Sequence, residues 1–125
     1  MIDKAKTLKL TETLISMCEK ADQIYEEARS TGQEKDFYSV VKPFADEVHQ
    51  TCLEWADQVK NWMNEESFRH LFPQQIDQAS QNLSDVAVQA FFPKTSYKRF
   101  KSHVQSVHFI LLSTLTEINR KMDMD

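Results

Sequence analysis

Asp46, His49 and Cys52 follow one another at three-residue spacing, which on a helix gathers an acid, an imidazole and a thiol on one face. Asp46-x-x-His49 has the spacing of half a carboxylate-bridged di-iron site, in which a bundle supplies two Glu-x-x-His units and two further inward carboxylates. The second unit is missing, because Phe100 and Gln105 stand where acids would have to precede His103 and His108. A three-histidine site drawn from His49, His103 and His108 is not selected either, since His103 and His108 are five apart and point in different directions around a helix. His49 beside Cys52 would suit an activated thiolate, but Cys52 falls on an apolar stripe, where cysteine acts as a small hydrophobe. With one glycine in the chain, a glycine-rich phosphate loop and a nucleophile elbow are excluded. The residues point to no catalytic set, no metal site and no cofactor. The competing reading is a metal- or small-molecule-binding protein or enzyme built on the His49/Cys52 region.

A second group is basic. Lys94, Lys98, Arg99 and Lys101, interleaved with Tyr97 and Phe100, could hold an anion or a partner at a helix N-terminus, or touch nucleic acid. Net charge of -4 counts against general nucleic-acid affinity, which needs a basic surface. The plainer reading is that these cations pair with acids on a neighbouring helix. Two surfaces suggest interaction instead of catalysis. Between Arg69 and Lys94 there is no Lys or Arg, and the outward positions are Gln74, Gln75, Gln78, Gln81, Asn82, Ser84 and Gln89, a weakly charged face that a partner or a second copy could cover. Aromatic and aliphatic residues also cluster toward the element ends, with Trp62, Phe68, Leu71 and Phe72 in one group and Phe37, Tyr38, Phe44, Phe91 and Phe92 in the other. Most of these should cap a core, and a large exposed remainder would mark a binding patch.

The elements that position these residues are helices. Apolar residues recur at the 3-4 helical interval in four blocks: Leu10, Leu14, Met17, Ala21, Ile24, Ala28; then Phe37, Val41, Phe44, Val48, Cys52, Trp55, Val59, Trp62. The third block is Ile76, Ala79, Leu83, Val86, Ala90, and the fourth is Phe100, Val104, Val107, Leu111, Ile118, Met122 with Leu115 alongside. Each stripe must be buried against the others. One Gly and three Pro are too few turn formers for a sandwich or barrel. The first helix should span residues 4–30 and end at Gly32, the second should follow a cap at Asp36, and Pro43 should either kink it or mark a short helix handing over to a long one, the handover being preferred. Pro73 should open the third helix, and Thr95 or Ser96 should cap the fourth, residues 96–122. Short connections then predict an all-α, antiparallel up-down-up-down four-helix bundle, with residues 1–125 as one domain.

The charges add a register. The first helix opens on Lys4, Lys6 and Lys9 and closes on Asp22, Glu26 and Glu27; the fourth opens on Lys98, Arg99 and Lys101 and closes on Glu117, Asp123 and Asp125. Both oppose the helix dipole, and both make sense if the two helices lie antiparallel and adjacent. Matching the stripes sets Ala28 opposite Tyr97, Ala21 opposite Val104, Leu14 opposite Leu111 and Leu10 opposite Leu115. Glu26 and Glu27 should then meet Arg99 and Lys98, Asp22 should meet His103, Lys9 should meet Glu117, and Lys4 should face Lys121. No stretch suggests export or a membrane span, since the longest apolar run, Phe109 to Leu112, is far below the ~20 residues needed. Cys18 and Cys52 are accordingly expected as reduced thiols in the cytoplasm.

Asp36-Phe37, Val41-Lys42-Pro43, Trp55-Ala56, Gln75-Ile76 and Lys98-Arg99-Phe100-Lys101 are similar, in order and spacing, to the YppE-like proteins, a family of small Bacillus-type bacterial proteins of unknown function. The resemblance covers roughly residues 8–119. It implies a single-domain four-helix bundle in the cytoplasm of a Gram-positive bacterium, and it supplies no catalytic residues to carry over. The expected role is an interaction or regulatory module that binds an unidentified protein partner or further copies of itself, away from membranes and without nucleic acid.

Overall fold

Each helix begins and ends where a particular side chain takes over the unpaired backbone groups. The computed structural model describes residues 2–123. They form α1 (Lys4–Thr31), a π-turn (Phe37–Val41) leading into α2 (Lys42–Glu65), α3 (Pro73–Gln89) and α4 (Tyr97–Asp123); Asp125, expected near the acidic close of α4, lies outside the described residues. The Asp3 carboxylate accepts the Lys6 N–H at 2.9 Å and opens α1. Gly32 closes it with φ 68° and its N–H on the Ala28 carbonyl at 2.8 Å. A Cβ at Gly32 would meet nothing within 4 Å, so glycine is needed there for its left-handed backbone alone. Asp36 accepts both the N–H and the hydroxyl of Ser39, at 2.9 and 2.8 Å. Pro43 marks a handover: the π-turn ends just ahead of it and α2 carries it in its first turn, where the wider turn accommodates the missing N–H. Of the two proposed caps for α4, Ser96 serves, taking the Arg99 N–H on its hydroxyl at 3.4 Å and the Phe100 N–H on its carbonyl at 2.9 Å. Thr95 instead ties off α3 by donating to the Gln89 carbonyl at 3.0 Å.

The helices run up, down, up and down. α1 packs beside α2 and α4, α3 packs beside α2 and α4, and α1 also touches α3 across the diagonal. The core between them holds Trp55, Trp62, Tyr25, Phe100, Leu14, Ile76, Leu83, Leu111 and Ile118. The α1/α4 register expected from the stripes is observed. Tyr25 stacks on Phe100 with centroids 4.0 Å apart, the Cys18 thiol points at the Val104 carbonyl at 3.8 Å, and His108 lies 3.7 Å from Glu19.

The stripes themselves needed correction at both ends. On α1 the buried face is Thr7, Thr11, Leu14, Met17, Cys18, Ala21, Tyr25 and Ala28, while Leu10 and Ile24 are only partly buried. The reason is Trp55, whose indole N–H is buried and needs an acceptor. Thr11 provides one at 3.0 Å and passes its own proton to the Thr7 carbonyl at 2.8 Å. On α4 the inner face includes Thr114, Glu117 and Lys121, while Val104, Leu115 and Met122 are partly buried. Phe72, placed with the core caps, is 62% exposed, whereas Phe68 and Leu71 are buried.

The individual charge partners also differ from the expected ones. Lys101 takes both acids of α1, Asp22 at 2.7 Å and Glu26 at 3.2 Å, because it sits on the α1-facing side of α4 one turn in from the cap. Lys4, set level with Lys121 by the register, reaches Glu66 at 3.7 Å. Glu117 turns away from Lys9 to accept the Arg69 N–H at 3.0 Å and the Arg120 guanidinium at 2.9 Å, and Lys121 donates to the Ser67 carbonyl at 2.5 Å while lying over the Phe68 ring. Together these two buried side chains pin the α2–α3 connection onto α4.

Thr11→Val keeps the side-chain shape but leaves the Trp55 N–H without an acceptor; chemical denaturation should show a loss of about 1–3 kcal/mol. The hydrogen bond from Arg120, followed by that from Arg69, holds the Glu117 carboxyl below its ordinary value of 4.5 despite partial desolvation. A carboxylate lowered in the folded state stabilises fully above its unfolded value and loses that contribution as pH falls through the folded one. The stability gap between the wild type and Glu117→Gln, measured by urea unfolding, should therefore be constant near neutrality and close as pH drops below 4.5.

Candidate functional site

The residues with the richest chemistry in the sequence are dispersed or neutralised by the fold. Asp46 is held by Lys42 at 2.6 Å, one helical turn back. His49 is exposed, its Nδ1 3.3 Å from the Ser84 hydroxyl on α3. Cys52 points into the core and is fully buried. Burial pushes its thiol up to about 11, with hydrogen bonds from Ser84 and Ser80 opposing that only in part. A thiol needs a cationic, partly open setting to become a nucleophile, and Cys52 has neither. His103 keeps its Nδ1 shut from solvent with no hydrogen-bond partner, and His108 faces α1. Among the described residues, no three His, Cys, Asp or Glu side chains converge as metal ligands would.

One cluster was not foreseen. A cleft of about 190 Å³ between α1 and α4 is lined by Cys18, Glu19, Asp22, Val104, Gln105 and His108. A thiol, an imidazole and two carboxylates so placed resemble a nucleophilic site, and extending the stripe register to Cys18, which sets it level with Val107, is the signal that would have found it. Its electrostatics run the wrong way. Burial first, then the Asp22 and Glu19 carboxylates, push the Cys18 thiol up to about 12, so the acids disfavour the thiolate that such chemistry requires.

The basic segment is divided. Lys101 is committed to Asp22 and Glu26, and it shares the ring of Tyr97 with Arg29, whose guanidinium lies 4.8 Å from the ring centroid. Phe100 is in the core. Lys94, Lys98 and Arg99 remain exposed. The α3 glutamine face is likewise partly self-satisfied, since Gln78 donates to Asn82 at 3.0 Å, Gln81 donates to Asp85 at 3.1 Å, and Gln75 accepts the Phe72 N–H at 2.9 Å.

What stands out is the bundle end where α1 finishes, α2 begins and α3 gives way to α4. Phe44 and Phe91 meet edge to face at 5.8 Å and form the floor of a cleft of about 260 Å³. Ile24, Ala28 and Val40 supply apolar walls, and Lys20, Glu27 and Lys35 stand around it. Beside it the π-turn leaves Phe37, Tyr38 and Val40 at 47%, 78% and 39% exposure, and Phe92 is 38% exposed. Periodicity assigned Phe37 to the α2 stripe. The π-turn, which spaces residues differently from an α-helix, turns it out to solvent. No local sequence signal distinguishes the two turns.

Both thiols should be inert in the folded protein. An aromatic disulfide reagent at neutral pH should modify Cys18 and Cys52 only as fast as the chain unfolds, with full reaction on denaturation; prompt labelling of either in the native state would show an accessible, activated thiol.

The molecule can be compared with known proteins on this geometry. The sequence is 25% identical over 114 residues to the protein YppE of Bacillus subtilis strain 168, covering 91% of this chain and 93% of YppE. The crystal structure of that protein superposes with a TM-score of 0.93, at 24% identity over 98% of this chain and 99% of its own. A protein of unknown function from Listeria innocua matches with a TM-score of 0.91 at 31% identity, covering 96% of each chain. Across residues 11–118 the sequence fits the profile of a bacterial domain of unknown function, DUF1798, and the chain belongs to that family.

Proposed function

We propose that this protein is a non-catalytic interaction module, acting as one cytoplasmic domain, that binds a protein partner through the aromatic end of the bundle. The exposed group Phe37, Tyr38, Val40 and Phe92 around the apolar cleft carries the reading. An exposed aromatic cluster beside a concavity is what an interface core uses, because it offers much apolar area to a partner. Phe44 and Phe91 already fill the floor, so an apolar side chain of the partner would complete the packing. Lys94, Lys98 and Arg99 flank this end and would meet acidic groups of the partner, with Lys101 retained by α1. The His49/Cys52 alternative finds little support, because the thiol is raised and buried and Asp46 is ion-paired. Nucleic-acid contact finds less support, since Phe100 is buried, Lys101 is held by Asp22 and Glu26, and of the two interleaved aromatics only Tyr97 is exposed.

A photo-crosslinking amino acid placed at Tyr38 in the host cell should give a discrete adduct that the same probe at Asp57, on the exposed face of α2, does not. Val40→Asp should abolish that adduct. Equal, diffuse crosslinking from both positions would count against the reading.

A further inference from the structure

Between Lys101 and Glu117, α4 carries no acid or base other than His103 and His108, and Phe109 stands at the middle of its outer face, 68% exposed. Leu112, one turn on, is 43% exposed. Lys98, Gln105, Thr116 and Asp123 are exposed on the same side of the helix, because at 100° per residue all six fall within one narrow stripe. The outer faces of α1 and α2, by contrast, present Glu12, Glu19, Glu26, Asp46, Glu47 and Asp57.

The order of residues along this stripe is self-complementary. If a second α4 lies antiparallel across the first, Phe109 meets Leu112 of the other copy and Leu112 meets its Phe109. In that same register Gln105 meets Thr116, Ser102 meets Asn119, and Lys98 meets Asp123. At these four levels apolar faces apolar, polar faces polar and cation faces anion, and the exchange is reciprocal as a two-fold axis demands. Lys98 and Asp123 make no ion pair with any described residue of their own chain, so both are free for this role. The like charges brought level, Lys101 and Arg120, are each already neutralised at home by Asp22 and Glu26 and by Glu117. Antiparallel packing also opposes the two helix dipoles favourably and brings Asp123 toward the lysine-rich start of the other helix.

We infer that the outer face of α4 is a homodimer interface in which two copies pack antiparallel about a two-fold axis between Phe109 and Leu112. The stripe from Lys98 to Asp123 is about 38 Å long at 1.5 Å per residue. A band one helix wide over that length covers roughly 400 Å², about half of what each side of a standard stable interface buries. The dimer is therefore a weak one, below the size of a standard stable interface. It is separate from the partner reading above, sharing only Lys98 with that surface.

Sedimentation equilibrium from about 10 μM to about 1 mM, a range suited to so small an interface, should show a monomer–dimer equilibrium. Phe109→Glu, at an exposed site that leaves the fold intact by circular dichroism, should weaken it by about 100-fold. Lys98→Asp and Asp123→Lys should each weaken it about tenfold, and the double exchange should restore it, because the pair is merely inverted. Monomer throughout this range overturns the inference, as does a dimer indifferent to Phe109→Glu. Failure of the double exchange to rescue overturns the antiparallel pairing. Crosslinking from Tyr38 should survive Phe109→Glu, so loss of the dimer and loss of the partner can be told apart.

Discussion

Two tryptophans lie at 0% exposure in the centre of this bundle, and each brings an N–H that water can no longer satisfy. Much of the architecture follows from where those two protons go. Trp55 donates to the Thr11 hydroxyl, which donates in turn to the Thr7 carbonyl, while the buried Thr7 hydroxyl donates separately to the Asp3 carbonyl. Trp62 donates to Glu66 at 2.6 Å, and Lys4 sits over its ring and against the same carboxylate. These contacts lock α1 to α2 in a single register. Sliding one helix by a turn would strand a buried donor, a cost that non-directional apolar packing alone would not impose.

The two ends of the bundle are built differently. At one, Glu117 and Lys121 are buried and hold the backbone of the α2–α3 connection at Arg69 and Ser67, a directional clamp on a short loop. At the other, the chain from Gly32 to Val40 is exposed throughout, and the π-turn presents its aromatic side chains to solvent. Tyr25 is the main tie there: it stacks on Phe100 and donates to the Thr95 carbonyl at 2.5 Å. A tightly clamped end and an open aromatic end suit a scaffold that carries its recognition surface on one pole.

The same burial that makes the core disfavours the thiolate at both cysteines. Cys18 and Cys52 are both fully buried, and carboxylates near Cys18 push its proton affinity higher still. Histidine and acid spacings read from the chain looked suggestive because helical periodicity brings residues three or four apart onto one face whether or not anything is shared between them. The bundle then turned His49 outward, sent Asp46 to Lys42 and separated the three histidines.

Apolar periodicity, the single glycine and the positions of Pro73 and Ser96 were enough to establish four antiparallel helices and nearly all of their boundaries. These are local or one-dimensional properties, set by backbone sterics and by the need to bury a stripe. The charge reversal along α1 and α4 identified which helices are neighbours, yet not which side chains meet, because long flexible cations choose among several acids within reach. Thr7, Thr11, Glu117 and Lys121 read as polar and were buried because partners on α2 or in the α2–α3 connection help satisfy them, a condition invisible within any one segment. The π-turn that exposes Phe37 and Tyr38, and the α4 stripe left uncovered around Phe109, were likewise decided by packing. Only when the helices have taken their places is it settled which apolar residues are used internally and which remain to meet another molecule.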